Sequence, residues 1–148
     1  MKRHLWKNAI RKRIRQNHIM FDGADVKKAL KSSILKKMSP WLLDKTYKVV
    51  DEETMLNIVE RSKLDRREYV PEHFDCDEFA KVFWGSTSKD FELNSTGMVL
   101  DMSSAHAYTV LLVHKLGKLV FLAMEPQSDK IITAPTQNHK MLGGYIIM

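Results

Sequence analysis

The hydrophobic pattern changes its period along the chain, and this change constrains the fold more than any other feature. Apolar residues before position 85 recur at spacings of three and four, which predicts helices over residues 2–16, 25–37, 51–61 and 75–84 and one short strand at 46–50. Short apolar segments between turn residues follow, which predicts strands over 98–102, 105–114, 118–124, 131–134 and 144–148. Helices followed by an antiparallel sheet predict an α+β fold.

Composition excludes several classes of protein. The 148 residues suit one domain, or one domain with an arm, and the longest apolar run, at 119–124, is too short to cross a bilayer. The single cysteine excludes an internal disulfide and a multi-cysteine zinc site, and the six histidines lack paired metal spacing, so no metal site is predicted. The charged start has no apolar segment behind it, so we expect no secretion by a signal peptide, no membrane partner and a cytoplasmic location.

Charge is distributed unevenly. Residues 1–40 hold twelve Lys/Arg and two acids, whereas residues 41–148 hold the other twelve Lys/Arg and sixteen acids. We interpret 1–40 as a basic helical arm and 41–148 as an α+β body. The arm either packs on its own acidic body or contacts nucleic acid or a host protein, through residues Arg11, Lys12, Arg13 and Arg15.

Cys76 lies in the first turn of a predicted helix. A helix N-terminus stabilises a thiolate and lowers the pKa of a cysteine. Its free N–H groups also suit an oxyanion formed when a thiolate attacks a carbonyl. A lone cysteine in this position is more often a small buried residue, so the cysteine alone does not predict catalysis.

A hairpin register places two further polar side chains together. If Leu116 and Gly117 form a two-residue loop, Lys115 pairs with Lys118, and alternation along the strands puts His106, Tyr108, Glu125 and Gln127 on one face. His106 and Glu125 are then diagonal neighbours, with Cβ atoms roughly 6–8 Å apart. The rest of this face is apolar, and we expect it to pack on the helix of Cys76. The sequence therefore predicts a Cys76–His106–Glu125 constellation.

Three short motifs occur in the order found in a known family: Asp-Cys-Asp-Glu-Phe-Ala at 75–80, His-Ala at 106–107 and Glu-Pro-Gln at 125–127. About residues 45–135 resemble the papain-like cysteine protease domain at the C-terminus of the fairy-ring mushroom agglutinin, a chimeric lectin, and the small bacteriophage proteins similar to it. The resemblance implies a papain-like fold with Cys76 as nucleophile, His106 as base and Glu125 as orienting acid. Asp77 and Gln127 take supporting or oxyanion roles. Calcium enters as a cofactor only through this resemblance, with no ligand residues matched.

Two functions follow as predictions. The first is a cysteine-dependent, peptidase-like hydrolase with a Cys-His-Glu triad, acting on a peptide or protein substrate and of a phage type found in the host cytoplasm. The alternative is a non-catalytic phage effector or binding protein with the same fold, whose basic arm contacts nucleic acid or a host protein. A structural virion protein is also compatible with the sequence, and the oligomeric state is not predicted.

Overall fold

The computed structural model describes residues 2–148. Its helices are α1 (Lys2–Asn17), α2 (Gly23–Lys31), α3 (Glu52–Ser62) and α4 (Cys76–Phe91), with a 3₁₀ turn at Leu64–Arg66. Its strands are β1 (Ile19–Asp22), β2 (Met38–Trp41), β3 (Thr46–Asp51), β4 (Thr96–Asp101), β5 (His106–Lys115), β6 (Lys118–Glu125), β7 (Lys130–Ile132) and β8 (Gly144–Ile147). The predicted combination of helices with a sheet in the later part of the chain is confirmed.

The eight strands form one mixed sheet. The order is β1-β3-β5-β4-β8-β2, and β6 lies on the other edge of β5 with β7 beyond it. Most pairs are antiparallel, but β3 runs parallel to β5 and β2 runs parallel to β8. The prediction of a purely antiparallel sheet is therefore wrong, because strands early in the chain join the sheet from both sides. The predicted register is confirmed, since Lys115 pairs with Lys118 and Thr109 with Met124.

Two N-terminal segments differ from the predicted ones. Residues 19–22, predicted as part of a break, form β1, which pairs with β3. Strand β2 was not predicted, because Pro40 indicates a stop; the proline lies on an edge strand, where its missing N–H is tolerated.

Two helices end at other positions than predicted. Helix α2 ends at Lys31 rather than about residue 37, because the Ser33 hydroxyl donates to the Leu30 carbonyl and accepts from the Leu35 N–H, in competition with helical bonding. Helix α4 continues through Gly85 to Phe91 and ends at Glu92 in the left-handed conformation. Glycine weakens a helix without ending it when the apolar pattern continues.

The sheet separates two hydrophobic cores. On one face α2 contributes Val26 and Leu30, which pack with residues of β5 and β6 that include Val110, Leu112 and Phe121. On the other face α3 and α4 pack on residues that include Leu111 and Met124. The apolar face that carries Val110 was expected to pack on the helix of Cys76. That expectation is wrong, since α2 covers this face and α4 lies on the opposite one.

Helix α1 packs on the body of the protein. Ile10 and Ile14 are buried in the same core as α3 and α4. The division into an arm over 1–40 and a body over 41–148 stays a prediction, and its first residue lies outside the described part of the chain. Within residues 2–148, no helix combines the length and apolar character needed to span a membrane.

Candidate functional site

A cleft of about 560 Å³ lies at the end of the β5–β6 hairpin opposite its turn. It brings together four of the residues predicted from sequence, namely Cys76, His106, Glu125 and Gln127. Cys76 reaches the cleft from the first turn of α4, because the cleft lies at the strand ends, where both faces of the sheet are accessible. The fifth, Asp77, instead forms an ion pair with Lys81, at 2.5 Å, which holds the pKa of Asp77 at about 2.

The surroundings of Cys76 favour its neutral thiol over the thiolate. Burial raises its pKa, the adjacent carboxylates of Asp75 and Asp77 raise it further, and the backbone N–H of Ala107 only partly compensates. Among residues 2–148, no hydrogen bond joins the Cys76 sulfur to His106. These surroundings oppose the thiolate predicted from the helix N-terminus, because desolvation and two negative neighbours favour the neutral thiol.

Glu125 connects two imidazoles. Its Oε2 accepts a hydrogen bond from Nε2 of His106 at 2.7 Å and from Nε2 of His139 at 3.0 Å. Its Oε1 accepts from the backbone N–H of Gln127 at 3.2 Å. Burial raises the pKa of Glu125, but the hydrogen bonds from His106 and Gln127 outweigh it and leave the pKa below its ordinary value. The carboxylate is therefore ionised, and each of its oxygens accepts at least one hydrogen bond.

His139 is a functional-site residue that sequence reasoning missed. It is 7% exposed, its ring lies against Tyr108, and its Nδ1 is hydrogen-bonded to the Thr136 hydroxyl at 2.8 Å. Thirty-odd residues separate it from His106, without a paired spacing or a strand to fix its direction. Only the return of the chain after β7 places it beside Glu125, so no local signal was available.

Asp101 is a second residue that sequence reasoning missed, and it binds the turn that precedes β5. It is 1% exposed, and its Oδ1 accepts from the backbone N–H groups of Ser103 and Ser104. Its Oδ2 accepts from the Tyr108 hydroxyl at 3.2 Å and from the Met141 N–H at 2.9 Å. Asp101 thus ties the turn before His106 to the segment after His139, which aligns the two imidazoles.

Two of the four predicted contact residues of α1 bond to the protein itself. Arg11 Nε donates to the Asp90 carbonyl at 2.8 Å, and the Arg13 guanidinium lies 2.8 Å from the Glu53 carboxylate. Lys12 and Arg15 are exposed. Arg11 and Arg13 therefore help to hold α1 on the rest of the protein.

Two groups of side chains have metal-ligating chemistry. His106, Glu125 and His139 place one ligand atom each within 4.8 Å of the others, and so do Asp75, Cys76 and Asp77. The first group lines the cleft with nitrogen and oxygen donors. Together with serine, asparagine and glutamine side chains, these residues make the cleft a polar, hydrogen-bonding surface.

Comparison with known proteins identifies the family. Residues 22–142 match the model of the ricin-type beta-trefoil lectin C-terminal domain. A solved structure titled as a PSL1a–E64 complex is 25% identical with a TM-score of 0.66, covering 87% of this chain and 51% of that chain. A structure of Polyporus squamosus lectin, titled as bound to a human-type influenza-binding epitope, is 22% identical with a TM-score of 0.62, covering 87% of this chain and 49% of that one. This chain thus spans about half the length of the solved proteins it matches. No curated protein sequence gives a significant match.

These findings correct the functional predictions. The matching family is named for ricin-type beta-trefoil lectins, and one structural neighbour is titled as a lectin bound to a glycan epitope, so the prediction of a cysteine hydrolase with a catalytic triad is wrong. The predicted peptide substrate and nucleic-acid contact are wrong for the same reason.

The resemblance to the C-terminal domain of a mushroom lectin is confirmed at the level of the lectin family, while the matches give no support to a papain-like protease or a phage origin. A family model that covers most of the chain defines the relationship, and two solved structures share the fold. The chain belongs to the ricin-type beta-trefoil lectin C-terminal domain family.

Proposed function

We propose that this protein is a carbohydrate-binding domain and that the cleft around Glu125 holds the glycan. The observation that carries the proposal is the chemistry of the cleft, in which an exposed tyrosine faces a dense set of hydrogen-bonding groups. The family supports it, and so does the neighbouring Polyporus squamosus lectin, whose structure is titled as bound to Neu5Acα2-6Galβ1-4GlcNAc.

The cleft suits a hydroxyl-rich ligand better than an apolar one. Tyr69 is 47% exposed at its rim and offers an aromatic face for the C–H side of a sugar ring. Gln127 and Asn138 each offer an amide donor and an acceptor, and Ser104 offers a hydroxyl. Most small-molecule pockets are predominantly apolar, so a lining of this kind selects for a polyol.

The charge of the cleft favours a neutral glycan. Glu125 is ionised inside it, and Asp75 and Asp77 flank Cys76 at its wall. A carboxylate on the ligand meets repulsion from these groups, at an effective dielectric constant below that of water. We therefore expect neutral saccharides to bind more tightly than sialylated ones.

Several earlier expectations accompany the proposal as predictions. A papain-like arrangement of the helices around the sheet and the cytoplasmic location belong with them, and so does the absence of a cofactor other than the calcium that the resemblance implies. None is needed for the cleft to bind a saccharide.

The test begins with a glycan array probed with the full chain, followed by isothermal titration calorimetry with the strongest neutral hit. We expect Tyr69→Ala to weaken binding roughly tenfold or more, because the sugar loses its aromatic platform. Tyr145→Ala is the matched control, since Tyr145 is 41% exposed on β8 and its ring packs at a tilt against Trp41 rather than lining the cleft.

The proposal fails if no saccharide binds at millimolar concentration to the folded protein. It also fails if Tyr69→Ala and Tyr145→Ala bind the array hit with equal affinity, because the glycan then contacts another surface.

A further inference from the structure

We propose that His106, Glu125 and His139 form a binding site for a divalent transition-metal ion, with Zn²⁺ as the best-matched ion. The site lies in the same cleft as the proposed glycan site but needs no sugar there. Two imidazoles and one carboxylate are the ligand set that zinc accepts when a fourth position stays open for water or another ligand.

The three ligand atoms already converge. Nε2 of His106 and Nε2 of His139 lie 2.7 Å and 3.0 Å from the same oxygen, Oε2 of Glu125. Bonds of about 2.0–2.1 Å in a tetrahedral zinc site place ligand atoms about 3.3 Å apart. The two nitrogen–oxygen distances therefore need to lengthen by only about 0.6 Å and 0.3 Å to reach this value, and all three ligand atoms lie within 4.8 Å of one another.

The ligands have outer partners of the kind that metal sites use. The Thr136 hydroxyl holds Nδ1 of His139 at 2.8 Å, which directs Nε2 towards Glu125. The Gln127 N–H binds Oε1 of Glu125 at 3.2 Å and leaves Oε2 for the ion. Such contacts orient metal-bound histidines and carboxylates, and their loss weakens metal binding about 10–100-fold.

An imidazole binds a metal ion through a nitrogen that carries no proton. With Nε2 of His139 on the ion, Nδ1–H of His139 donates to the Thr136 hydroxyl, which acts as the acceptor. The Glu125 carboxylate supplies one negative charge against the two positive charges of the ion.

The side chains at the site are held in place but accessible. Those of His106, Glu125 and His139 are 18%, 13% and 9% exposed, and all three line the cleft. The fourth coordination position consequently faces the cleft rather than the core. The neighbouring Asp75–Cys76–Asp77 cluster needs its thiol deprotonated, which its surroundings oppose, so it is the weaker candidate.

The experiment is titration of untagged, metal-stripped full chain with Zn²⁺ by calorimetry, with Co²⁺ absorption to report the ligand geometry. We expect a stoichiometry of one and a Kd of about 1 µM or tighter. His106→Gln and Glu125→Gln each weaken binding more than roughly 100-fold, and Thr136→Val weakens it about 10–100-fold. His4→Gln, Thr133→Val and Cys76→Ser leave the affinity unchanged, the first two because they alter exposed residues outside the cleft.

Three results overturn the proposal. The first is the absence of Zn²⁺ binding below about 100 µM in the folded wild type. The second is wild-type affinity in both His106→Gln and Glu125→Gln, whose folding is checked by circular dichroism. The third is loss of binding in Cys76→Ser alone, which transfers the ion to the thiol cluster and refutes the assignment to the imidazoles.

Discussion

Replacing Asp101 with asparagine tests whether one buried carboxylate holds the site together. Both of its oxygens accept backbone N–H groups, Ser103 and Ser104 on Oδ1 and Met141 on Oδ2. An asparagine has one oxygen and one NH₂ group, so either orientation turns the NH₂ towards a backbone donor. The hydroxyls of Ser104 and Tyr108 can rotate to adapt, but an N–H group cannot.

The magnitude follows from the number of donors left without an acceptor. One buried N–H group loses its partner if the NH₂ replaces Oδ2, and two do if it replaces Oδ1. Each buried, unpaired N–H costs about 1–3 kcal/mol, and the retained bonds lose the charge of the carboxylate. We expect Asp101→Asn to lower the free energy of unfolding by about 2–4 kcal/mol at pH 7.

Urea unfolding followed by circular dichroism measures this difference, with Asp25→Asn as the control. Asp25 is exposed in the first turn of α2, so its change stays within about 0.5 kcal/mol. A loss below about 0.5 kcal/mol in Asp101→Asn would refute the account of the network, because the Met141 N–H group then has another acceptor.

The pH dependence gives a second check on the same variant. Burial raises the pKa of Asp101, but hydrogen bonds from Ser103, Met141 and Ser104 outweigh it, so the folded-state pKa lies below the ordinary value of 3.8. The ionised form thus stabilises the fold above about pH 4, and this contribution is lost as the pH falls through the folded-state pKa. The difference between wild type and Asp101→Asn should therefore shrink in acid.

Three further outcomes are expected. Burial and nearby acids raise the pKa of Asp129 to about 6, so its ionisation opposes folding above that pH. Asp129→Asn should therefore raise the free energy of unfolding by about 1 kcal/mol at pH 7, after allowance for solvent screening, and should leave it unchanged below pH 4. Urea titrations at several pH values measure this difference. Alkylation of Cys76 by iodoacetamide should have its midpoint above that of a free cysteine, and a midpoint below pH 8 would contradict the neutral thiol. Gly144→Ala should destabilise the protein by about 3 kcal/mol or more, because φ is +152° and a Cβ would lie 2.0 Å from the Leu100 carbonyl oxygen, whereas Gly85→Ala, with open space around it, should be neutral or stabilising in thermal melts.

Much of the secondary structure was predictable because it depends on local patterns. The β5–β6 register followed from the two-residue loop, and helix α3 begins after Asp51, whose side chain accepts from the Thr54 N–H as its capping position predicts. The errors arose where tertiary pairing prevailed, as in β1 and β2, which are four-residue strands stabilised by partners distant in the sequence. Short strands carry too little local signal to be recognised without those partners.

The candidate site also has a part that was predictable from local sequence and a part that depends on the tertiary structure. His106 and Glu125 face each other because alternation along a hairpin is a local rule, and their pairing at 2.7 Å agrees with the predicted shared face. Cys76 reaches the cleft from the face opposite to the one expected, because the side of the sheet on which a helix packs depends on the whole connection.

The sequence by itself determined the α+β class, the helix starts and the placement of His106 and Glu125 on one face of the β5–β6 hairpin. Each of these depends on contacts within a few residues or across one tight turn. Only the tertiary structure decided that His139 joins Glu125, that Asp101 aligns the segments around them and that α1 packs on the body. These depend on long-range contacts, whose geometry is settled when the complete core is packed and each buried polar group finds its partner.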